Sequence, residues 1–233
     1  MTRLSDAAMK KKHKTSGSYG RLFDDEKIGL VISGVQSTAI RNGNELEKLI
    51  EQYSNPLTNN ATRDLIDEIK SRTIQDGTYL LSKDSYRGTA IAIPNHEPDY
   101  LIVQAHDTNV KIFVVEMKDG DDFDTKKSSG ELETLTACKD FIENHFDIST
   151  DYALCCFNQT SRQNIVRGLK HRFDEVHVMT GNEFCKLVGI EYEAIIKERK
   201  SDASDNIMEL ARRLADCDNF VAALETLGYT KTR

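Results

Sequence analysis

Nowhere does this chain hold the roughly 20 consecutive apolar residues that a helix needs to cross a bilayer, so no membrane span is expected. The opening stretch, MTRLSDAAMKKKHK, is basic but has no apolar segment behind it, which reads against a signal peptide. The expected compartment is the cytoplasm. The five cysteines include no CxxC pair, and Cys155 and Cys156, adjacent on a strand-like run, face opposite sides and cannot grip one metal together. They read as reduced thiols packed as small hydrophobes. No HExxH spacing joins the six histidines, so zinc is not expected. Neither GxxxxGK[ST] nor GxGxxG occurs, which removes support for an ATP-driven or dinucleotide role. An internal repeat and a low-complexity linker are also missing. The reading is one domain over residues 21–233, with a helical C-terminal part from about 181, preceded by a basic arm over residues 1–20.

What is present is a 233-residue chain, 39% hydrophobic and 30% charged, long enough to bury one substantial core. Its net charge of −7 argues mildly against a nucleic-acid partner, but local basic clusters remain. They are Arg3, Lys10, Lys11, Lys12 and Lys14, then Lys126-Lys127, Arg162, Arg167 and Lys170-His171-Arg172. Such clusters are either solvated surface or a footprint for phosphates.

Apolar periodicity predicts a helix over STAIRNGNELEKLIEQY, with Leu46, Leu49, Ile50 and Tyr53 on one stripe. NNATRDLIDEIKSRTIQDG predicts a second helix, ended by Gly77. Strands are expected over 89–93, 100–105 and 110–116, the last two joined by a turn at Asp107-Thr108-Asn109. A helix follows over about 129–145, its start fixed by a capping box in Ser128-Ser129-Gly130-Glu131. Then come a strand at 152–157, a helix at 161–169, a strand at 175–179 and terminal helices from Gly181. This order predicts the α/β class, with a mixed central sheet flanked by helices and extra C-terminal helices.

One strand ends in VVEMKDG, where Glu116 and Lys118 share a face. If 100–106 and 110–118 form an antiparallel hairpin, the midpoint of residues 99 and 116 falls within the predicted turn. Asp99 and Glu116 then lie opposite each other on neighbouring strands. Like charges so placed repel, whereas a divalent cation between them reverses the sign. Two readings of Glu116 and Lys118 fit: a strand-end ion pair, or part of a metal-dependent phosphodiesterase site.

Pro98-Asp99, followed by Glu116-Met117-Lys118 at the end of an apolar strand, resembles the PD-(D/E)xK nuclease motif. The context resembles type II restriction endonucleases, through EMKDGDDFDTKKSSGELETL, CCFNQTSRQNIVRGLK and MTGNEFCKLVGIEYEAI, over residues 40–197. The resemblance implies a restriction-endonuclease-like core. It also implies Mg²⁺-dependent, sequence-specific cleavage of double-stranded DNA to 5′-phosphate ends, with Mn²⁺ able to substitute. Asp99, Glu116 and the Met117 backbone carbonyl would hold the metal, and Lys118 would be the catalytic lysine. Many members add a glutamate from the first helix; Glu47 is favoured here over Glu45, the alternative being a solvated helix side chain. Glu131 is expected to act as a cap, and Asp119, Asp121, Asp122 and Asp124 as a solvated acidic turn.

DNA contacts are expected from two places. Lys126, Lys127, Ser128 and Ser129 lie at a helix N-terminus, a natural seat for phosphate. Asn158, Gln159, Arg162, Gln163, Asn164 and Arg167 include residue types that read base edges, although a capped polar loop has a similar composition. A homodimer is expected from the symmetry of cutting two strands. A cognate DNA methyltransferase is expected as a genetic neighbour and not as a stable subunit. Two rival readings remain: a repair or structure-specific nuclease on the same core, and a noncatalytic DNA-binding module. The complete Asp99, Glu116 and Lys118 set argues against the second.

Overall fold

The computed structural model describes residues 3–9, 17–107, 109–120 and 122–229. Helices α1 (Leu4–Met9), α2 (Gly17–Phe23), α3 (Glu26–Ser54) and α4 (Asn59–Ser71) come first. They are followed by strand β1 (Gly77–Ser82), the short helix α5 (Lys83–Tyr86) and strands β2 (Tyr100–His106) and β3 (Asn109–Lys118). Helix α6 (Thr125–Phe146), strand β4 (Ser149–Cys156), helix α7 (Arg162–Gly168) and strand β5 (Val178–Thr180) complete the sheet region. The chain continues with α8 (Gly181–Val188), α9 (Tyr192–Lys200), α10 (Ala203–Ala215) and α11 (Asp218–Thr226). Contacts group these into two compact units, one of residues 1–46 with 193–233 and one of residues 47–192.

The unit of residues 47–192 is built on a five-stranded mixed sheet in the order β1-β2-β3-β4-β5. β2 runs antiparallel to both β1 and β3, while β3, β4 and β5 run parallel. The parallel β3–β4 step requires a crossover, and α6 supplies it. The fold is therefore α/β with helices flanking a mixed sheet, as the sequence predicts.

Alternation decides what each face carries. Leu81 on β1, Leu101 and Val103 on β2, Ile112 and Val114 on β3, and Leu154 and Cys156 on β4 join one core. Leu65, Ile66 and Ile69 of α4 pack into the same core, as do Leu135, Cys138 and Ile142 of α6. Each fully buried Leu or Ile in that layer contributes about 1.5–3 kcal/mol. Cys155 points to the opposite face, where Tyr100 meets Phe184 with ring centroids 5.5 Å apart. All five cysteines are buried free thiols.

Some local expectations need correction. α4 ends at Ser71, with Arg72 left-handed at φ 59° as its cap, and Gly77 opens β1, a strand the periodicity conceals. Residues 89–93 are not a strand: the chain turns there through Gly88 at φ 70°, and Ile91 and Ile93 reach the core from a loop. α6 begins at Thr125, capped by Asp124, whose carboxylate accepts from the Lys127 N–H at 2.8 Å. This competing cap upstream of Ser128 displaces the expected start. The run at 175–179 is likewise a 3₁₀ turn (Glu175–His177) leading into the short β5. In the first predicted helix Leu46, Leu49 and Ile50 are buried as expected, whereas Tyr53 is exposed.

In the unit of residues 1–46 and 193–233, the described part of the basic arm is docked. Leu4 is buried, its N–H donates to Asn206 Oδ1 at 2.7 Å, and Arg3 pairs with Asp202 at 3.2 Å. Arg213 donates to the Leu4 carbonyl at 2.9 Å. Lys10, Lys11, Lys12 and Lys14 lie outside the described residues, as do Thr108 of the turn and Asp121 of the acidic loop.

Candidate active site

The β2–β3 register places Tyr100 against Val115, so extending the ladder by one residue sets Asp99 beside Glu116. The β1–β2 register places Ser82 against Tyr100, and one further step sets Lys83 beside Asp99. A lysine, an aspartate and a glutamate thus form a row across three adjacent strand ends. The row continues the face that carries Leu81, Leu101 and Val114, so it opens directly off the α4–α6 core layer.

Each member is held by specific bonds. Tyr86 Oη donates to the Pro98 carbonyl at 2.5 Å, and Arg87 clamps Glu97 with bonds of 2.8 and 2.6 Å. These contacts fix the chain immediately before Asp99. Asp99, 5% exposed, accepts from the Met117 N–H on Oδ2 at 2.7 Å, and its Oδ1 is in contact with the Lys83 ammonium. Lys118 Nζ lies 2.6 Å from Glu116 and 2.8 Å from Glu131. Glu131 belongs to the inward stripe of α6 that continues as Leu135, Cys138 and Ile142, which explains its reach to Lys118. It is therefore an ion-pair partner of the lysine and not the helix cap expected of it.

The electrostatics follow from this crowding. Burial, and then the Asp99 charge, push the Glu116 carboxyl up to about 7. Burial lowers the Lys118 ammonium, but Glu116 and Glu131 outweigh it and hold its pKa above the ordinary value. Burial and then Asp99 raise Glu47, which also feels Lys83 and Lys118. The favoured first-helix glutamate thus belongs electrostatically to the cluster. Lys83 is raised on balance, with Asp99 overcoming the burial that opposes its charge.

Asp99, Glu116 and Lys118 are brought together, and Glu47 is linked to them through their charges; Lys83 and Glu131 join the cluster without a signal in the local sequence pattern. The donor set fits a hard divalent cation, with carboxylate oxygens beside a strand-end carbonyl at Met117. A lysine ammonium in contact with Asp99 shows that this spot already attracts positive charge. Among the described residues, one trio of His, Asp, Glu or Cys brings its ligand atoms within 4.8 Å: Asp76, His106 and Asp107. It is exposed, at the far end of the β2–β3 hairpin from Asp99.

The residues expected at DNA divide into two groups. Lys126 and Lys127 are exposed at the start of α6, and Ser129 is half-buried. Ser128 is fully buried, its hydroxyl donating to the Asp124 carbonyl at 3.0 Å, so it faces inward and not toward a phosphate. Arg162 is bound to Glu183 at 2.9 Å and to the Glu175 carbonyl at 2.8 Å. Asn158 donates to the Asp119 carbonyl and carboxylate at 2.8 and 2.7 Å. Gln159 is half-buried, while Gln163, Asn164 and Arg167 are more open. The acidic loop is partly engaged: Asp122 pairs with Lys170 at 2.5 Å, and Asp124 caps α6.

Comparison with curated proteins finds the type II restriction enzyme HhaII of Haemophilus parahaemolyticus, 37% identical over 213 residues, which are 90% of this chain and 92% of that protein. No family model matches the chain. No solved structure matches it significantly.

Proposed function

This chain belongs to the type II restriction enzymes, and on that premise we propose that it hydrolyses double-stranded DNA at a short specific sequence, with Mg²⁺ as cofactor. Mn²⁺ substitutes, and the products carry 5′-phosphates. The observation that carries this reading is the register-matched pair Asp99 and Glu116, with Lys118 on the same face.

Asp99, Glu116 and the Met117 carbonyl hold the divalent ion, and Glu47 adds negative charge beside them. When bound, the ion supplies Lewis-acid charge at the scissile phosphate. Lys118 contributes a fixed ammonium that orients the attacking water and stabilises charge developing on the phosphate. Glu131, 2.8 Å from the Lys118 ammonium, would hold it in place independently of Glu116. Lys126, Lys127 and Ser129 position the DNA backbone at the α6 N-terminus, and Gln163, Asn164 and Arg167 read bases.

Each chain carries one such site, while a duplex has two strands, so the working form is a homodimer. Among the described residues no helix is long and apolar enough to cross a membrane. The enzyme acts in the cytoplasm, where a methyltransferase encoded nearby protects the host's own sites.

The test is digestion of unmodified phage DNA by the purified protein with Mg²⁺, followed by sequencing of the fragment ends. Discrete fragments sharing one end sequence are expected, with cutting abolished by EDTA. Ca²⁺ should support binding with little turnover, because its longer bonds and looser geometry place phosphate and water poorly. Activity persisting in EDTA, or cleavage confined to branched or damaged DNA, would refute this reading.

A further inference from the structure

Two lysines contact the acidic row, and they are held differently. Lys118 is 19% exposed and gripped by two carboxylates, one of which, Glu131, lies on α6 outside the proposed ion ligands. Its position survives if Glu116 is taken by a cation. Lys83 is 32% exposed, begins the four-residue α5, and has Asp99 as its ion-pair partner. Its flexible stem can withdraw into solvent.

Both oxygens of Asp99 are engaged. Met117 N–H occupies Oδ2 at 2.7 Å, and the Lys83 ammonium occupies Oδ1. The Met117 bond is part of the junction between strand ends, so a cation binding at Oδ1 meets the lysine ammonium at close range and is opposed by its like charge. Replacing the ammonium by the ion is an exchange of like for like. A buried carboxylate beside a second carboxylate requires positive charge, and the chain supplies its own when no divalent ion is bound.

We infer that Lys83 is a tethered stand-in for the catalytic cation, a positioning residue that holds Asp99 in the ion-free enzyme and competes directly with divalent-ion binding. This rests on the cation reading of Asp99 and Glu116 given above. The ion's apparent affinity is then reduced by the fraction of molecules in which the lysine is seated. In the absence of the ion, the same contact keeps the acidic row from repelling itself apart.

The experiment is Mn²⁺ titration of the full-length chain without DNA, by calorimetry and by thermal unfolding, for wild type, Lys83→Met, Asp99→Asn and Lys186→Met. If the lysine is seated in about 90–99% of ion-free molecules, Lys83→Met should bind Mn²⁺ about 10–100-fold more tightly. It should unfold at a lower temperature than wild type without Mn²⁺ and recover most of that deficit with it. Asp99→Asn should lose binding. Lys186→Met removes the same charge from an exposed site on α8 and should leave affinity within about twofold, because screening weakens distant charges. Should Lys83→Met fail to fold, Lys83→Gln keeps a donor, loses the charge and carries the same expectation. Wild-type binding with equal or weaker affinity in the Lys83 variant overturns the stand-in role while leaving the cation reading intact. Equal tightening in Lys186→Met reduces the effect to general electrostatics and also overturns it. No Mn²⁺ binding by any chain overturns the cation reading, and this inference with it.

Discussion

Asp99 accepts a hydrogen bond from the Met117 N–H at 2.7 Å, pinning the residue before β2 to β3 one position beyond Glu116. The hairpin therefore does not fray where its ladder stops. Two carboxylates that repel are locked side by side, an arrangement that costs stability and that the proposed cation would relieve.

Glu116 and Lys118 should separate binding from chemistry. Glu116→Gln keeps the shape but removes a charge the ion needs, so ion occupancy and cleavage should fall together. Lys118→Ala leaves both carboxylates, so the ion and DNA should still bind while the chemical step slows by about 10²–10³, the cost of losing one well-placed charge donor. If the two residues formed only a structural ion pair, either change would leave a buried charge without its partner, cost about 3–5 kcal/mol of stability and leave cutting by the folded protein intact. Single-turnover cleavage and duplex binding of both folded variants decide between these outcomes.

The hairpin is legible in the sequence because an antiparallel pair has one free parameter, and the Asp107-Thr108-Asn109 turn sets it. Lys83 is not legible. Its place beside Asp99 depends on β1, and Gly77, which resembles a helix stop, in fact opens that strand. Glu131 misleads for a related reason: Ser128-Ser129-Gly130-Glu131 satisfies a capping pattern, yet Asp124 caps the helix first. With the start moved to Thr125, Glu131 falls in the second turn on the inward stripe. Local patterns thus identify residues within single strands, while the partners contributed by other elements require the tertiary fold.

DNA contacts should sort by what the side chains already bind. Lys126→Ala should weaken binding to all duplexes and reduce the salt slope by about 1, since one phosphate contact releases about one counterion. Gln163 or Asn164 replaced by alanine should cost about 1–3 kcal/mol on the specific site and little on random DNA, if they pair with base edges. Arg162 is braced by Glu183 and the Glu175 carbonyl, so Arg162→Ala should cost about 1 kcal/mol of stability and leave the recognised sequence unchanged. Competition binding over a salt series checks the first two, and denaturant unfolding checks the third. A changed sequence preference in Arg162→Ala would return that residue to the reading surface.

The thiols give a pH prediction. Burial raises Cys138 and Cys185 to about 12 and Cys155 well above the ordinary value. The thiolate is the reactive form, so the native protein at pH 8 should react negligibly with a disulfide reagent, while all five cysteines should react after unfolding. Because the folded pKa values lie above the unfolded value of about 8.5, the folded state binds protons more tightly there. Their contribution to stability is complete below that pH and is lost as pH rises toward about 12. Unfolding midpoints measured from pH 8 to 11 should fall. A rapidly titrating native thiol would mean that one of these sites opens.

Gly181 connects the fold to the lysine. It opens α8 directly after β5, and a Cβ there would overlap the Phe157 carbonyl oxygen, with the backbone carbon and the ring of Phe157 at 2.9 Å. That clash is with main chain, so the segment must move. Phe157 N–H donates to the Lys118 carbonyl at 2.9 Å, which makes the backbone of Lys118, the proposed catalytic lysine, the next link. Gly181→Ala should cost about 1–3 kcal/mol from overpacking. It should also slow single-turnover cleavage by about tenfold or more, because displacements near 1 Å are felt strongly in positioned chemistry. Mn²⁺ affinity should fall less than the cleavage rate, because among the proposed ion ligands only the Met117 carbonyl adjoins Lys118 and neither Asp99 nor Glu116 is on the displaced segment. Gly130→Ala is the control. A methyl on that helical glycine would meet nothing within 4 Å, so alanine there should be neutral or stabilise α6 by up to about 1 kcal/mol. Cleavage by Gly181→Ala at the wild-type rate, with stability lost, would show that Phe157 yields without carrying Lys118 along.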